Sequence, residues 1–289
     1  MRNGKRRVLG SLLALTMVMV AGHGVSASGR DDDPGPSGNL RVVGLTGDGR
    51  LVSFRARSPR RTRDHGRVSG LSGSDTALVG IDYRVQDGKL YGVGNGGGVY
   101  TIDATTAQAT FVNSLSVPLS GTSFGVDFNP AADRLRIVSD TGQNLAHNVN
   151  AGGVTAANGV LTYTVPPAAP VPAAGVTAAA YTNNDLNQPA TGTTLFDLDT
   201  MQNQVVIQSP PGAGILVATG MLNVDAGADA GFDIYSRLSG GITVANTAFA
   251  ALTTNGRSGF YFINLTTGYA TPLGTFDESV VDIAIPLNQ

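Results

Sequence analysis

The sequence predicts an all-β fold, a closed β-propeller of five four-stranded blades. Three observations predict it: a short apolar strand segment recurs five times, turn residues separate the strand-like runs, and the units at the two ends are each incomplete. The clearest unit is Ser120 to Asn150, SGTSFGVDFNPAADRLRIVSDTGQNLAHNVN. Gly125 to Phe128 is apolar and Asn129-Pro130 opens a turn. Arg134 to Ser139 then alternates with Leu135 and Ile137 on one face, and Asp140-Thr141-Gly142 turns into Asn144 to Asn148.

The recurring first strand is read at Leu78 to Asp82, Phe124 to Asp127, Val176 to Tyr181, Gly231 to Ile234 and Val280 to Ile283. A second type follows at Leu40 to Leu45, Leu90 to Val93, Leu135 to Ser139, Leu195 to Leu198 and Phe249 to Leu252. The third runs through Leu51 to Phe54, Val99 to Ile102, Asn144 to Asn148, Val205 to Gln208 and Phe260 to Ile263. The fourth is expected at Arg67 to Leu71, Ala109 to Val112, Gly153 to Ala156, Leu216 to Thr219 and Thr271 to Phe276. Asp87-Gly88, Asn95-Gly96, Asn158-Gly159 and Asn255-Gly256 supply residues tolerant of positive φ between strands. The pattern begins with a second-type strand and ends with a first-type one, so the two ends together complete one blade. A pair of β-sandwiches or a β-solenoid would leave those ends unexplained. The Pro/Ala-rich stretch Thr164 to Gly175 lengthens the third unit as a linker.

Ahead of the repeats, Arg2, Lys5, Arg6 and Arg7 precede the apolar run Val8 to Val20 and the small-residue site Val25-Ser26-Ala27. That is the pattern of a signal peptide, residues 1–27, since the run is short for a membrane span. Arg6-Arg7 allows a twin-arginine reading, but the following residues match that signal poorly. Residues 28–38, acidic and rich in Pro and Gly, read as a disordered leader, with one domain over 39–289. Removing the signal leaves fifteen basic against twenty-one acidic residues, near -6. This argues against nucleic acid as a partner. With no cysteine, packing alone must hold the fold in an oxidising compartment. The expected product is secreted, free of a membrane span after cleavage, and monomeric.

Over Leu40 to Pro286 the chain resembles the bacterial secreted DUF4394 family of unknown function. The residues that carry the resemblance are SGTSFGVDFNP with RLRIVSDTGQN (Ser120 to Asn144), AAAYTNN (Ala178 to Asn184), LFDLDT (Leu195 to Thr200), GFDIY (Gly231 to Tyr235) and FYFINLTTGYATPLGTF (Phe260 to Phe276). The resemblance implies an exported β-rich repeat domain and brings no activity or ligand with it. The departure is Arg55 to Arg67, where a mild polar hairpin is replaced by RARSPRRTRDHGR.

Two motifs are decoys. Gly121-Thr122-Ser123-Phe124-Gly125 spells the hydrolase G-x-S-x-G, but a strand follows it instead of a helix, and His65 and His147 are the histidines a triad would have to recruit. Gly92, Gly94 and Gly97 spell G-x-G-x-x-G before a strand, where pyrophosphate binding needs a helix. More telling is the aspartate of the first-type strand, Asp82, Asp127, Asp233 and Asp282, with Ala180 in the fifth place. Lining a channel, four carboxylates would need protons, a basic partner, a cation, or the same local hydrogen bond in each blade. Oxygen ligands point to Ca2+ as the cation. Asp225 and Asp229 match no calcium loop and read as solvated.

Arg55, Arg57, Arg60, Arg61, Arg63 and Arg67 crowd a chain whose lysine beyond the signal is Lys89 alone. They form either a solvated hairpin tip or a patch gripping an anionic envelope polymer through bidentate guanidinium contacts. No aromatic residue interleaves them, which counts against single-stranded nucleic acid. The function read from the sequence is a non-catalytic binding module of the extracellular or cell-envelope space. The alternative is a cation-dependent hydrolase of lactonase type, for which Asp127 with Arg134 or Arg136 is the nearest acid/base pair.

Overall fold

The computed structural model describes residues 40–164, 169–187 and 191–289. The chain divides into two units, Met1–Gly35 and Pro36–Gln289, and the first lies outside the described residues, as do the signal-peptide and leader expectations. Among the described residues of the second unit the regular elements are all strands except one short 3-10 turn at Pro211–Ala213.

Blade I holds β1 (Arg41–Thr46), β2 (Arg50–Arg55) and β3 (Ser58–Arg67); blade II holds β4 (Leu78–Tyr83), β5 (Leu90–Gly94), β6 (Gly98–Ile102) and β7 (Ala109–Ser114). Blade III is β8 (Phe124–Asn129), β9 (Arg134–Ser139), β10 (Asn144–His147) and β11 (Thr155–Ala157). Then come β12 (Thr162–Tyr163), β13 (Val171–Pro172), β14 (Val176–Tyr181), β15 (Leu195–Asp199), β16 (Gln204–Gln208) and β17 (Ile215–Met221), all in blade IV. Blade V is β18 (Ala226–Ser239), β19 (Ile242–Thr254), β20 (Arg257–Ile263) and β21 (Ala270–Thr275), and β22 (Val280–Ala284) returns to blade I.

Closure is as the incomplete ends predict. β22 lies antiparallel beside β1, with Val43 opposite Ala284 and Leu45 opposite Asp282, giving the order β22-β1-β2-β3. The first-type strands β22, β4, β8, β14 and β18 are each blade's innermost strand, and each neighbours the next around the axis. Apolar residues on the two faces of each blade make five clusters, one per junction, because a four-stranded sheet can bury both faces only against its neighbours. The junction that closes the ring, V to I, is aromatic: Phe249 stacks on Phe260 at 5.3 Å, and Phe54 meets Phe260 and Phe276 edge-on at 5.1 and 4.9 Å.

Two expectations are corrected. The fourth strand of blade I is Ser58–Arg67, not Arg67 to Leu71, so the arginine-rich segment is the blade's outer strand and not a hairpin tip. Among the described residues no further strand pairs with this outer edge, so its residues need no strict apolar alternation; charge and two bulges in its pairing with β2 guard it instead. The stretch after Thr164 is likewise more than a linker. β12 runs parallel to β17, with Thr162 opposite Ile215, and β13 pairs with β12, so the connection from blade III adds two short strands to the outer edge of blade IV.

Candidate functional site

Each inner strand carries the pattern Gly-x-Asp or a variant of it: Gly80-Ile81-Asp82, Gly125-Val126-Asp127, Ala178-Ala179-Ala180, Gly231-Phe232-Asp233 and Val280-Val281-Asp282. Residues two apart in a strand share a face, so glycine and aspartate look together toward the next blade. The glycine lets that blade approach. A Cβ on Gly125 would lie 2.6 Å from the backbone of Ala178 and Ala179, and one on Gly231 would lie 2.7 Å from the nitrogen of Ile283.

The aspartate then ties the junction. Asp282 accepts the backbone N–H of Ile81 at 2.7 Å, Asp82 that of Phe128 at 2.8 Å, Asp127 that of Tyr181 at 3.0 Å and Asp233 that of Ile285 at 2.5 Å. Four of the five junctions thus carry a carboxylate-to-backbone bond across blades. The exception is IV to V, where the position is Ala180. There Asn183 and Asn246 exchange hydrogen bonds at 3.0 and 2.8 Å, and Asn184 donates to Ser236 and to the carbonyl of Ile234. The asparagines of AAAYTNN therefore do the work of the missing aspartate.

Carboxylate oxygens of Asp82, Asp127 and Asp233 all lie within 4.8 Å of one another. Asp282 is not in that trio; its two oxygens take the N–H groups of Ile81 and Ile283. So the structure gathers three of the four predicted residues, from blades II, III and V, beside the alanine of blade IV. All four are buried, between 2% and 7% exposed. Burial pushes Asp82, Asp127 and Asp282 well above the ordinary carboxylate range, with neighbouring carboxylates adding to the rise, and takes Asp233 up to about 7.

A carboxyl whose folded pKa is raised contributes stability that is complete below the unfolded pKa of about 4 and is lost as pH rises through the folded value. His147 acts oppositely. It is buried, bonded to Thr155 and Asn113, and its pKa is lowered by burial, so its contribution is lost as pH falls below about 6.5. Between pH 6.5 and 9 the raised carboxyls dominate, buried Asp197 beside the four, and the melting temperature measured in chelator should fall as pH rises across that window. Asp82→Asn with Asp127→Asn should flatten the fall; an unchanged slope would show that the trio does not titrate there.

The other candidates separate cleanly. His147 is committed to Thr155 and Asn113, and His65 bonds Ser53 at 2.8 Å, so neither reaches Ser123. Gly94 to Gly97 is the β5–β6 turn, whose N–H groups at Gly96 and Gly98 are taken by Asp75. Asp225 and Asp229 are exposed. Asp127 and Arg136 face each other across β8 and β9, yet the Arg136 guanidinium is spent on Asn144 at 2.6 Å, Asn158 at 2.7 Å and the Tyr181 hydroxyl at 3.3 Å. Arg134 turns to the carbonyls of Ala132 and Asp133. One group was not legible beforehand: Arg84, 8% exposed, grips Asp133 bidentately at 2.8 and 2.6 Å and also meets Asp87 and Asn150. It locks the β4–β5 turn to the β8–β9 turn at the end where the inner strands finish.

All six predicted arginines are exposed, from Arg55 at the end of β2 to Arg67 at the end of β3. Arg60 pairs with Asp277 of the β21–β22 connection at 3.0 Å, and the nearby Arg50 pairs with Asp64.

Residues 50–284 match the family described as Domain of unknown function (DUF4394). The chain belongs to that family. No curated protein matches it. Among solved structures it is similar to a protein of unknown function from Bacteroides thetaiotaomicron VPI-5482, at 12% identity over 87% of this chain and 68% of that one, with a TM-score of 0.48. It is also similar to an auxiliary nutrient binding protein from Bacteroides ovatus ATCC 8483, at 12% identity over 78% and 56% of the two chains, TM-score 0.39. A third is Kuenenia stuttgartiensis hydrazine synthase, at 13% identity over 70% of this chain and 50% of that one, TM-score 0.38. The chain spans about half the length of that synthase chain. At these identities and TM-scores nothing of those proteins' functions carries over. Among the described residues of this DUF4394 member, no helix is long and apolar enough to cross a membrane.

Proposed function

We propose that this DUF4394 protein is a non-catalytic binding module of the extracellular or cell-envelope space, exported by residues 1–27, and that its channel trio holds calcium. The observation that carries the reading is the meeting of Asp82, Asp127 and Asp233 oxygens within 4.8 Å from three separate blades. Three buried carboxylates cannot all be ionised without a counter-charge, and an all-oxygen donor set suits a hard cation. The lactonase-type alternative would use the same cation to polarise a carbonyl but also needs an acid/base pair beside it. Arg136, the side chain closest to that role, is occupied by Asn144, Asn158 and Tyr181, which favours binding over hydrolysis.

A ligand that binds only the folded state stabilises it by about 2.7 kcal/mol at a hundredfold excess over Kd, a rise of several degrees for a domain of this size. The purified mature protein should therefore melt higher in calcium than in chelator at pH 8.5, and Asp82→Asn with Asp127→Asn should lose that response. An identical melt in calcium and chelator at that pH would overturn the cation site.

The arginine edge supports a second partner, an anionic envelope polymer, because six exposed guanidinium groups fall within thirteen residues of an acidic chain. Binding to heparin or teichoic acid should weaken steeply with salt and vanish when Arg57, Arg60, Arg61 and Arg63 are replaced by Ser. The melt should barely move, since the Arg60–Asp277 pair is exposed and such pairs contribute little. No binding even at low salt would leave the edge as a charged guard of the sheet.

A further inference from the structure

Blades III and IV face each other across a second polar group, away from the channel trio. Asp197 sits in the middle of β15, opposite Ala179 on β14 and Val206 on β16, and is completely buried at 0% exposure. Neither of its carboxylate oxygens meets a protein donor. From blade III comes Arg136, 5% exposed; burial holds the Asp197 carboxyl well above the ordinary carboxylate range, and the Arg136 charge offsets only part of that rise. Its Nη1 reaches Asn144, whose Nδ2 donates to the carbonyl of Pro211 at 3.0 Å. That same carbonyl accepts from Gln208 Nε2 at 2.5 Å. A carbonyl can only accept, so the Gln208 amide has one possible orientation, and its Oε1 is left buried without a protein donor. Gln208 is opposite Leu195, one pair along from Asp197 on the same face, within reach of a shared bridging group.

Among the described residues, three buried oxygens without protein partners therefore lie at one junction with a buried guanidinium. A carboxylate and a guanidinium taken out of water are costly unless they compensate each other and their remaining hydrogen-bonding positions are filled. A polar pocket with two to four converging partners is where an internal water is retained. We propose that an ordered water at the blade III–IV junction bridges the buried Asp197 carboxyl to Gln208 Oε1, beside the Arg136 guanidinium. Arg136 and Asp197 join the same two blades as the Asp127–Tyr181 bond, but further from the axis, on the second strand of each sheet.

The test combines a high-resolution crystal structure with a double-mutant cycle of melts at pH 7. A solvent peak should lie within hydrogen-bonding distance of an Asp197 carboxylate oxygen. Asp197→Leu and Arg136→Met should each lower the melt by about ten degrees, because each leaves buried polar groups of one junction without their partners, and the double variant should lose much less than the sum. Asp197→Asn, which keeps the shape and changes only charge and donors, tests the same point if the apolar variants do not fold. The proposal is overturned by a junction with no solvent peak, by a metal ion in its place, or by Asp197→Asn melting at or above the wild type with the two single effects simply additive.

Discussion

Deleting Val280 to Gln289 should leave a protein that aggregates or has lost most of its stability. The segment supplies β22, the innermost strand of blade I, so its loss uncovers the edge of β1 that now pairs from Val43 to Thr46. It also removes four fully buried apolar residues, Val280, Ile283, Ala284 and Ile285, each 3% exposed or less. At about 1.5–3 kcal/mol for each larger side chain, their burial alone rivals the net stability of a typical domain. Two of the four carboxylate ties break as well, Asp282 to Ile81 and Asp233 to Ile285, and the Tyr235 hydroxyl loses the carbonyl of Gln289. Size-exclusion chromatography and a thermal melt of the truncated protein decide the matter. A monomer melting with the full domain would mean that β22 is an accessory strand and that the ring is held shut elsewhere.

Legibility in the sequence followed burial. Strands packed on both faces announced themselves: β4, β14 and β22 fall almost where their apolar runs place them, and the offset between first and last units located the closure. The Asn255-Gly256 turn was equally readable, since both residues adopt positive φ in the structure. β3 escaped because an outer strand is solvated on its edge and partly on both faces, so arginines suit it as well as valines would. The blade V hairpin was underestimated for a related reason: β18 and β19 run on to Ser239 and from Ile242, past the point where the core requires apolar residues. At the site, recurrence of aspartate was visible, but its partners were not. Each carboxylate answers a backbone group of the next blade, 46 to 201 positions away, at offsets that vary from one junction to another, and no local pattern encodes that. Arg84 and Asp133, 49 positions apart, were hidden for the same reason. The glycine two residues before Asp82, Asp127 and Asp233 was the available clue, because a strand interior selects glycine only where something must come close.

That clue leads to a second large expected effect. Gly125→Ala should destabilise the protein by about 3 kcal/mol or more, lowering its melt by roughly six to twelve degrees, although alanine is ordinarily the better strand residue. The backbone conformation is not the obstacle, since Gly125 lies in regular β8 opposite Val138 and is not among the positive-φ glycines. The obstacle is the next blade. The new methyl would sit 2.6 Å from main-chain atoms of Ala178 and Ala179, which cannot rotate aside as a side chain would. β14 would have to retreat, and the bond from Tyr181 N–H to Asp127, now 3.0 Å, would lengthen with it. Two comparisons separate this cause from a general cost of replacing glycine. Gly192→Ala, at a position where a methyl meets no described residue within 4 Å, should leave the melt unchanged. Asp127→Ala should cost little more when added to Gly125→Ala, because the two changes damage one junction and their costs should not add. If Gly125→Ala melts like the wild type, the blades are not pressed together at their inner strands, and the Gly-x-Asp pattern has no part in setting their spacing.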